Sequence, residues 1–152
     1  MSVVAAVRPD DWNFPLFVHV LGAMVLVGGL TAGASVLAAR RDLRILQLGY
    51  WSLLLVALPG WIVMRIGAQW IASKEGLDDL PQDVEPTWLS LGGAIGDIGG
   101  LILLLSLVVG GVGVYRLRQG KGSGLLTATL LVAVLLLAAY LIAAWAMTGK
   151  PD

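Results

Sequence analysis

Residues 125–147 read LLTATLLVAVLLLAAYLIAAWAM, an unbroken run without a charged side chain. A helix rising 1.5 Å per residue needs about 20 such residues to cross a hydrocarbon core roughly 30 Å thick. The run does not alternate between apolar and polar, as the strands of a transmembrane barrel do over roughly 10 residues. Inside lipid every backbone N–H and C=O must find its partner within the protein, and a single segment achieves that as a helix. Three further apolar stretches, 15–39, 45–71 and 89–115, are equally long. Composition agrees: 58% of the chain is hydrophobic and 13% charged, against about 45–50% and 25% in soluble domains. Mean hydropathy is +0.87. The expectation is a single domain, residues 1–152, folded as an all-α integral membrane bundle of four transmembrane helices in up-down-up-down order.

This composition argues against a soluble enzyme, a nucleic-acid binder and a disordered chain, and makes the lipid bilayer the first partner. The chain has no cysteine, so disulfides, thiolate metal sites and thiol chemistry are excluded. Ten basic and ten acidic residues cancel, leaving no bulk charge to attract a partner. The Gly-Lys at 120–121 does not make a phosphate loop, because Tyr115 and Gly122 stand where Gly and Ser or Thr are required. The first apolar run is too long, and its flank (Arg8, Asp10, Asp11) too acidic, for a cleaved signal peptide.

Basic residues in the short connections set the orientation. Arg40, Arg41 and Arg44 fall between the first and second runs, and Arg116, Arg118 and Lys121 between the third and fourth. The opposite side carries Arg8, Lys74 and Lys150. The excess of Lys and Arg places the first and third loops in the cytoplasm and both termini outside, in a multi-pass protein of the inner (plasma) membrane. Five tryptophans, Trp12, Trp61, Trp70, Trp88 and Trp145, then fall toward the outer half, where tryptophan is an ordinary interfacial anchor. The remaining loop, 73–88, carries Glu75, Asp78, Asp79, Asp83 and Glu85. Their spacing does not match a calcium loop, and the loop reads as a solvated acidic segment.

Ionisable side chains inside membrane helices are costly and usually face the bundle interior. There are three: His19, Arg65 and Asp97. Counted along their helices, each lies roughly 7–14 Å below the outer interface, so three helices deliver one polar group each to one level. Asp97 is too short to reach water and needs a partner or a proton. Arg65 is either that partner, locking the second helix to the third, or snorkels outward beside Trp61 or Trp70. His19 shares a stripe with Gly22, Leu26, Gly29 and Gly33, whose spacing and small residues suit close helix packing. It is expected to point into the bundle, as a hydrogen-bonding link to a neighbouring helix or as an axial haem or metal ligand. With one histidine, a second axial ligand falls to methionine or water. Met64 and Met147 are expected on the outer side, with Met24 one turn deeper. Gly92, Gly96 and Gly100 repeat every fourth residue and let a helix or a flat group approach. Pro59-Gly60 interrupts the second helix and should kink it.

The segment HVLGAMVLVGGL, residues 19–30, resembles the first helix of bacterial four-helix predicted integral membrane proteins of unknown function. More remotely it is similar to the copper-resistance D domain and to the haem-binding four-helix protoporphyrinogen oxidase. The resemblance implies a four-helix bundle with a first-helix histidine near one membrane face, in some relatives at a haem- or copper-related position. Only His19 carries over, since the further histidines of those families have no counterpart in a chain with one.

The residues together suggest a non-enzymatic accessory or structural membrane protein with an outer-leaflet polar cluster of His19, Arg65 and Asp97. The alternatives are a haem- or metal-binding redox protein built on His19, and a proton or ion transporter lined by the cluster. The last requires a homo-oligomer or a larger membrane complex, because four helices leave little room for a pore. The orientation is open to direct test, as any introduced cysteine is the only one in the chain. An impermeant thiol reagent applied to intact cells is expected to label Ser73→Cys and to spare Ser123→Cys; the reverse pattern refutes the assignment.

Overall fold

The computed structural model describes residues 10–39, 42–77 and 86–149. The described residues are helical apart from short connections and contain no strand. Four helices, α1 (Asp10–Ala39), α2 (Leu43–Glu75), α3 (Thr87–Arg118) and α4 (Gly124–Gly149), are each long and apolar enough to cross a membrane. The end of the bundle where α1 begins and α2 finishes is called here the head, and the opposite end the base. Arg8, Arg40, Arg41 and Lys150 of the basic count, and Asp78, Asp79, Asp83 and Glu85 of the acidic loop, lie outside the described residues.

Every helix outruns its apolar stretch. α1 starts at Asp10 and carries Pro15 inside it, and α2 continues to Glu75. Apolarity marks the part of a helix that faces hydrocarbon, whereas hydrogen bonding continues into the headgroup layer. Gly76 ends α2 in the left-handed conformation, at φ 67°, with its N–H on the Ala72 carbonyl, which a residue with a side chain adopts at a cost. The interruption expected at Pro59 takes the form of a π turn over Leu53–Ala57. Proline has no N–H to give. The widened turn precedes it, and the Leu58 N–H reaches back to the Leu53 carbonyl, the i→i+5 bond of a π-bulge.

α1 and α2 form one tight antiparallel hairpin. Gly22 lies on the Met64 backbone, Gly29 on Ala57, and Gly33 on the Leu53 side chain. From the other side Gly60 lies on Leu26, Gly67 on His19, and Gly49 on Leu37. Each step of α1 toward the base is met by an equal step of α2 toward its own start. The approach is close enough that a methyl group built on Gly29 would come within 2.5 Å of the Ala57 nitrogen, and one on Gly60 within 2.5 Å of the Leu26 nitrogen. Small residues permit this backbone-to-backbone packing, which takes the place of a hydrophobic driving force between helices in lipid. The Ser52 hydroxyl adds a long 3.4 Å hydrogen bond to the Gly29 carbonyl.

α3 and α4 pair at the base, where Gly113 meets the side chains of Leu125 and Leu126. Thr129, fully buried on α4, donates to the Leu125 carbonyl at 3.0 Å and faces the Ser106 carbonyl of α3 at 3.4 Å. Buried leucines at 26, 30, 37, 53, 103, 107, 126 and 136 fill the core. The α1–α2 hairpin meets α3 through aromatic rings seated on glycines: Tyr50 covers Gly110 and Gly111, and Trp61 covers Gly100.

The glycine contacts separate two kinds of substitution. Gly60→Val pushes a branched side chain into the α1 backbone and is expected to destabilise the bundle by about 3 kcal/mol or more. A methyl group at Gly28 meets nothing within 4 Å, so Gly28→Ala should be neutral or stabilising by up to about 1 kcal/mol. Unfolding midpoints of the two variants in one detergent check this; equal effects refute the close-packing account.

Candidate functional site

Toward the head the two hairpins part and all four helices line a cavity of about 290 Å³. Small residues supply part of its walls: Ala23 of α1, Ala68 and Ala72 of α2, Gly92, Gly93 and Gly96 of α3, and Ala143 and Ala144 of α4. His19, Arg65, Gln69, Tyr140, Met64 and Met147 are also among its lining residues.

His19 is half-buried on α1 directly against Gly67 of α2. Its Nδ1 lies 3.0 Å from the Met64 carbonyl oxygen. A carbonyl only accepts, so Nδ1 carries the hydrogen, and in the neutral ring Nε2 keeps its lone pair. The link across the hairpin expected of this residue is therefore made, to backbone and not to a side chain.

Arg65 and Asp97 form an ion pair, Nη2 to Oδ1 at 2.5 Å, joining α2 to α3. The pair is not an interior one. Arg65 is 28% exposed and Asp97 64%, so the carboxylate stands on the flank of the bundle. The inner face of α3 at this level belongs to Gly92, Gly96, Gly99 and Gly100, all buried. One residue past Gly96, Asp97 is turned about 100° away from that face. Arg65 reaches it by passing over Gly96, where Nη1 would lie 3.2 Å from an added methyl group. The structure thus brings His19 and Arg65 into one cavity lining and ties Asp97 to it through Arg65 alone.

The α3 glycine row does admit a flat group, and that group is the protein's own Trp61. Its indole lies on Gly100, and Nε1–H donates to the Gly96 carbonyl at 2.9 Å. Trp61 is therefore a clamp between helices. Trp70, at 5.7 Å edge-to-face from Phe14, stays on the outer surface.

The residue that sequence reasoning passes over is Tyr140. It is 5% exposed, its hydroxyl lies beside Gly99, and that oxygen has no hydrogen-bond partner among the described residues. Arg65 and Asp97 are both within its electrostatic reach. A signal was present: Tyr140 is the one tyrosine of the α4 run, and counted back from Met147 it falls about 10 Å in, the level of the three ionisable groups. A search confined to residues that carry charge near neutral pH does not find it.

Among the described residues no three His, Cys, Asp or Glu side chains come together as a metal site. No protein-family model matches the chain, and no curated protein or solved structure matches it either.

Arg65 and Asp97 should behave as one unit. The single changes Arg65→Ala and Asp97→Ala each leave a charge at the head without its partner, whereas the double change removes both. The expected coupling is at least about 0.5 kcal/mol, measured as the departure from additivity in a double-mutant cycle of unfolding free energies. Additive single effects show that the pair does not hold α2 to α3.

Proposed function

We propose that this chain is a non-enzymatic accessory protein of a bacterial inner membrane that binds a small molecule in the head half of its bundle, with the head and both termini on the outer side. The observation that carries the reading is the cavity itself, lined by all four helices with His19, Arg65 and Tyr140 among its lining residues. The small side chains around it speak for the same role. Nearer the base Leu30, Leu37, Leu53, Leu107 and Leu126 fill the space; at the head, alanines and glycines leave part of it open. The proposed orientation rests on the distribution of Lys and Arg among the loops.

The test fills the cavity without disturbing the packing. Gly93 lines the cavity, and a methyl group there meets nothing within 4 Å, so Gly93→Leu is expected to fold and to keep its unfolding midpoint. Wild-type protein extracted with its native lipids should carry a small molecule near one equivalent, detectable by mass spectrometry, that Gly93→Leu lacks. Wild-type protein that carries none refutes the binding role.

A further inference from the structure

At the base, α2 and α3 bring polar and aromatic side chains to one outer groove. Tyr50 of α2 lies on Gly110 and Gly111 of α3, and this contact fixes how both helices are turned. At about 100° per residue, Arg44, Gln47 and Trp51 are rotated about 60–120° from Tyr50 around α2. Tyr115 and Arg118 are rotated about 30–90° from the Gly110–Gly111 contact around α3, in the same sense of the chain. The helices are antiparallel, so these turns carry both sets to the same side of the seam. The other side is the bundle interior, where Gly49 meets Leu37 of α1 and Gly113 meets Leu125 and Leu126 of α4. The shared side therefore faces lipid. Trp51 and Tyr115 are exposed on it, as are Arg44 and Arg118, with Gln47 half-buried. Counted from the Tyr50 contact, both arginines lie about 9–11 Å farther toward the base.

The charge at this end is one-sided. The two connections, residues 40–44 and 116–123, carry Arg40, Arg41, Arg44, Arg116, Arg118 and Lys121 against the single acid Asp42. Among the described residues no ion pair engages Arg44 or Arg118. Guanidinium groups at the end of a groove between two helices, with aromatic rings farther in, match the build of a phospholipid. The phosphate diester accepts from the guanidiniums, the Gln47 amide stands at the next turn inward, and hydrocarbon meets the rings and Gly111. A zwitterionic lipid brings an ammonium that this basic surround repels, whereas an anionic one does not. We infer that the outer groove between α2 and α3 at the base binds one anionic phospholipid, its phosphate between Arg44 and Arg118 and an acyl chain along Trp51 and Gly111. This site is separate from the head cavity and does not rest on the binding role proposed for it.

Arg116 supplies the control. It is exposed, carries the same charge at the same end of α3, and is turned about 160° from Arg118, away from the groove. Dioleoyl phosphatidylglycerol and dioleoyl phosphatidylcholine are titrated into the full chain in a charge-neutral detergent, and bound lipid is counted by native mass spectrometry. The first equivalent of phosphatidylglycerol is expected to bind about tenfold or more tighter than phosphatidylcholine. Arg44→Gln and Arg118→Gln should each weaken it about fivefold, and Arg116→Gln less than twofold. Glycerol phosphate, which has the charge without the chains, should displace the lipid poorly. Equal affinity for the two lipids overturns the site. Arg116→Gln weakening phosphatidylglycerol as much as Arg118→Gln also overturns it, because the attraction then belongs to the charge of the whole base. Displacement by glycerol phosphate at concentrations equal to the lipid removes the chain from the groove and refutes the assignment to a phospholipid.

Discussion

The contact on which the rest of the structure depends is backbone on backbone. α1 and α2 approach until Gly29 touches Ala57 and Gly60 touches Leu26 with no side chain between. In lipid, apolar side chains gain little by leaving one hydrocarbon surface for another, so helices associate through close van der Waals contact and interhelical hydrogen bonds. The glycines allow both. The same approach carries His19 onto Gly67, where its ring reaches the Met64 carbonyl. One ring then fixes the register of two helices at the head, as Ser52 and Gly29 do more weakly in mid-hairpin.

α3 uses glycine differently. Its partners are side chains: Trp61, Arg65 and Tyr50 from α2, and Tyr140 and Met147 from α4. Large groups seated on a smooth helix hold the two hairpins apart by the thickness of a ring or a guanidinium. At the base, buried leucines occupy that gap. At the head, alanines and glycines of α2, α3 and α4 leave part of it unfilled, so the spacing set by Trp61 and Arg65 remains as a cavity. The clamp and the chamber have one origin.

Much of this is legible in the sequence and some of it is not, for reasons that differ by residue. The four spans follow from uncharged length alone. The stripe through Gly22, Leu26, Gly29 and Gly33 follows from helical spacing, and it does face a neighbouring helix. The level of Arg65 and Asp97 follows from counting residues, and their pairing from the scarcity of other partners. The outward position of Asp97 does not follow, because it depends on which face of α3 the glycines claim, and Gly92, Gly96, Gly99 and Gly100 cover a broad arc. Tyr140 is hidden for a different reason. In a run such as LLAAYLIAA its hydroxyl counts as one polar atom among many apolar ones, and only the arrangement of the other helices leaves it without a partner.

The lengths of the helices bear on where the bundle sits in its bilayer. On α2, no charged side chain intervenes between Arg44 and Arg65, and on α3 none intervenes between Asp97 and Arg116. At 1.5 Å per residue both intervals measure about 30 Å, the thickness of the hydrocarbon core. The two helices thus carry matching pairs of depth marks, with basic residues at the base and the ion pair near the head. Counting from the helix ends sets Asp97 about 7–14 Å below the outer interface; a slab drawn between these marks instead sets its exposed carboxylate at the edge of the hydrocarbon, which avoids the defect that an immersed carboxylate would open. The first turns of α3 and the last turns of α2 then rise above the hydrocarbon as a short collar, and the chamber opens within the polar layer.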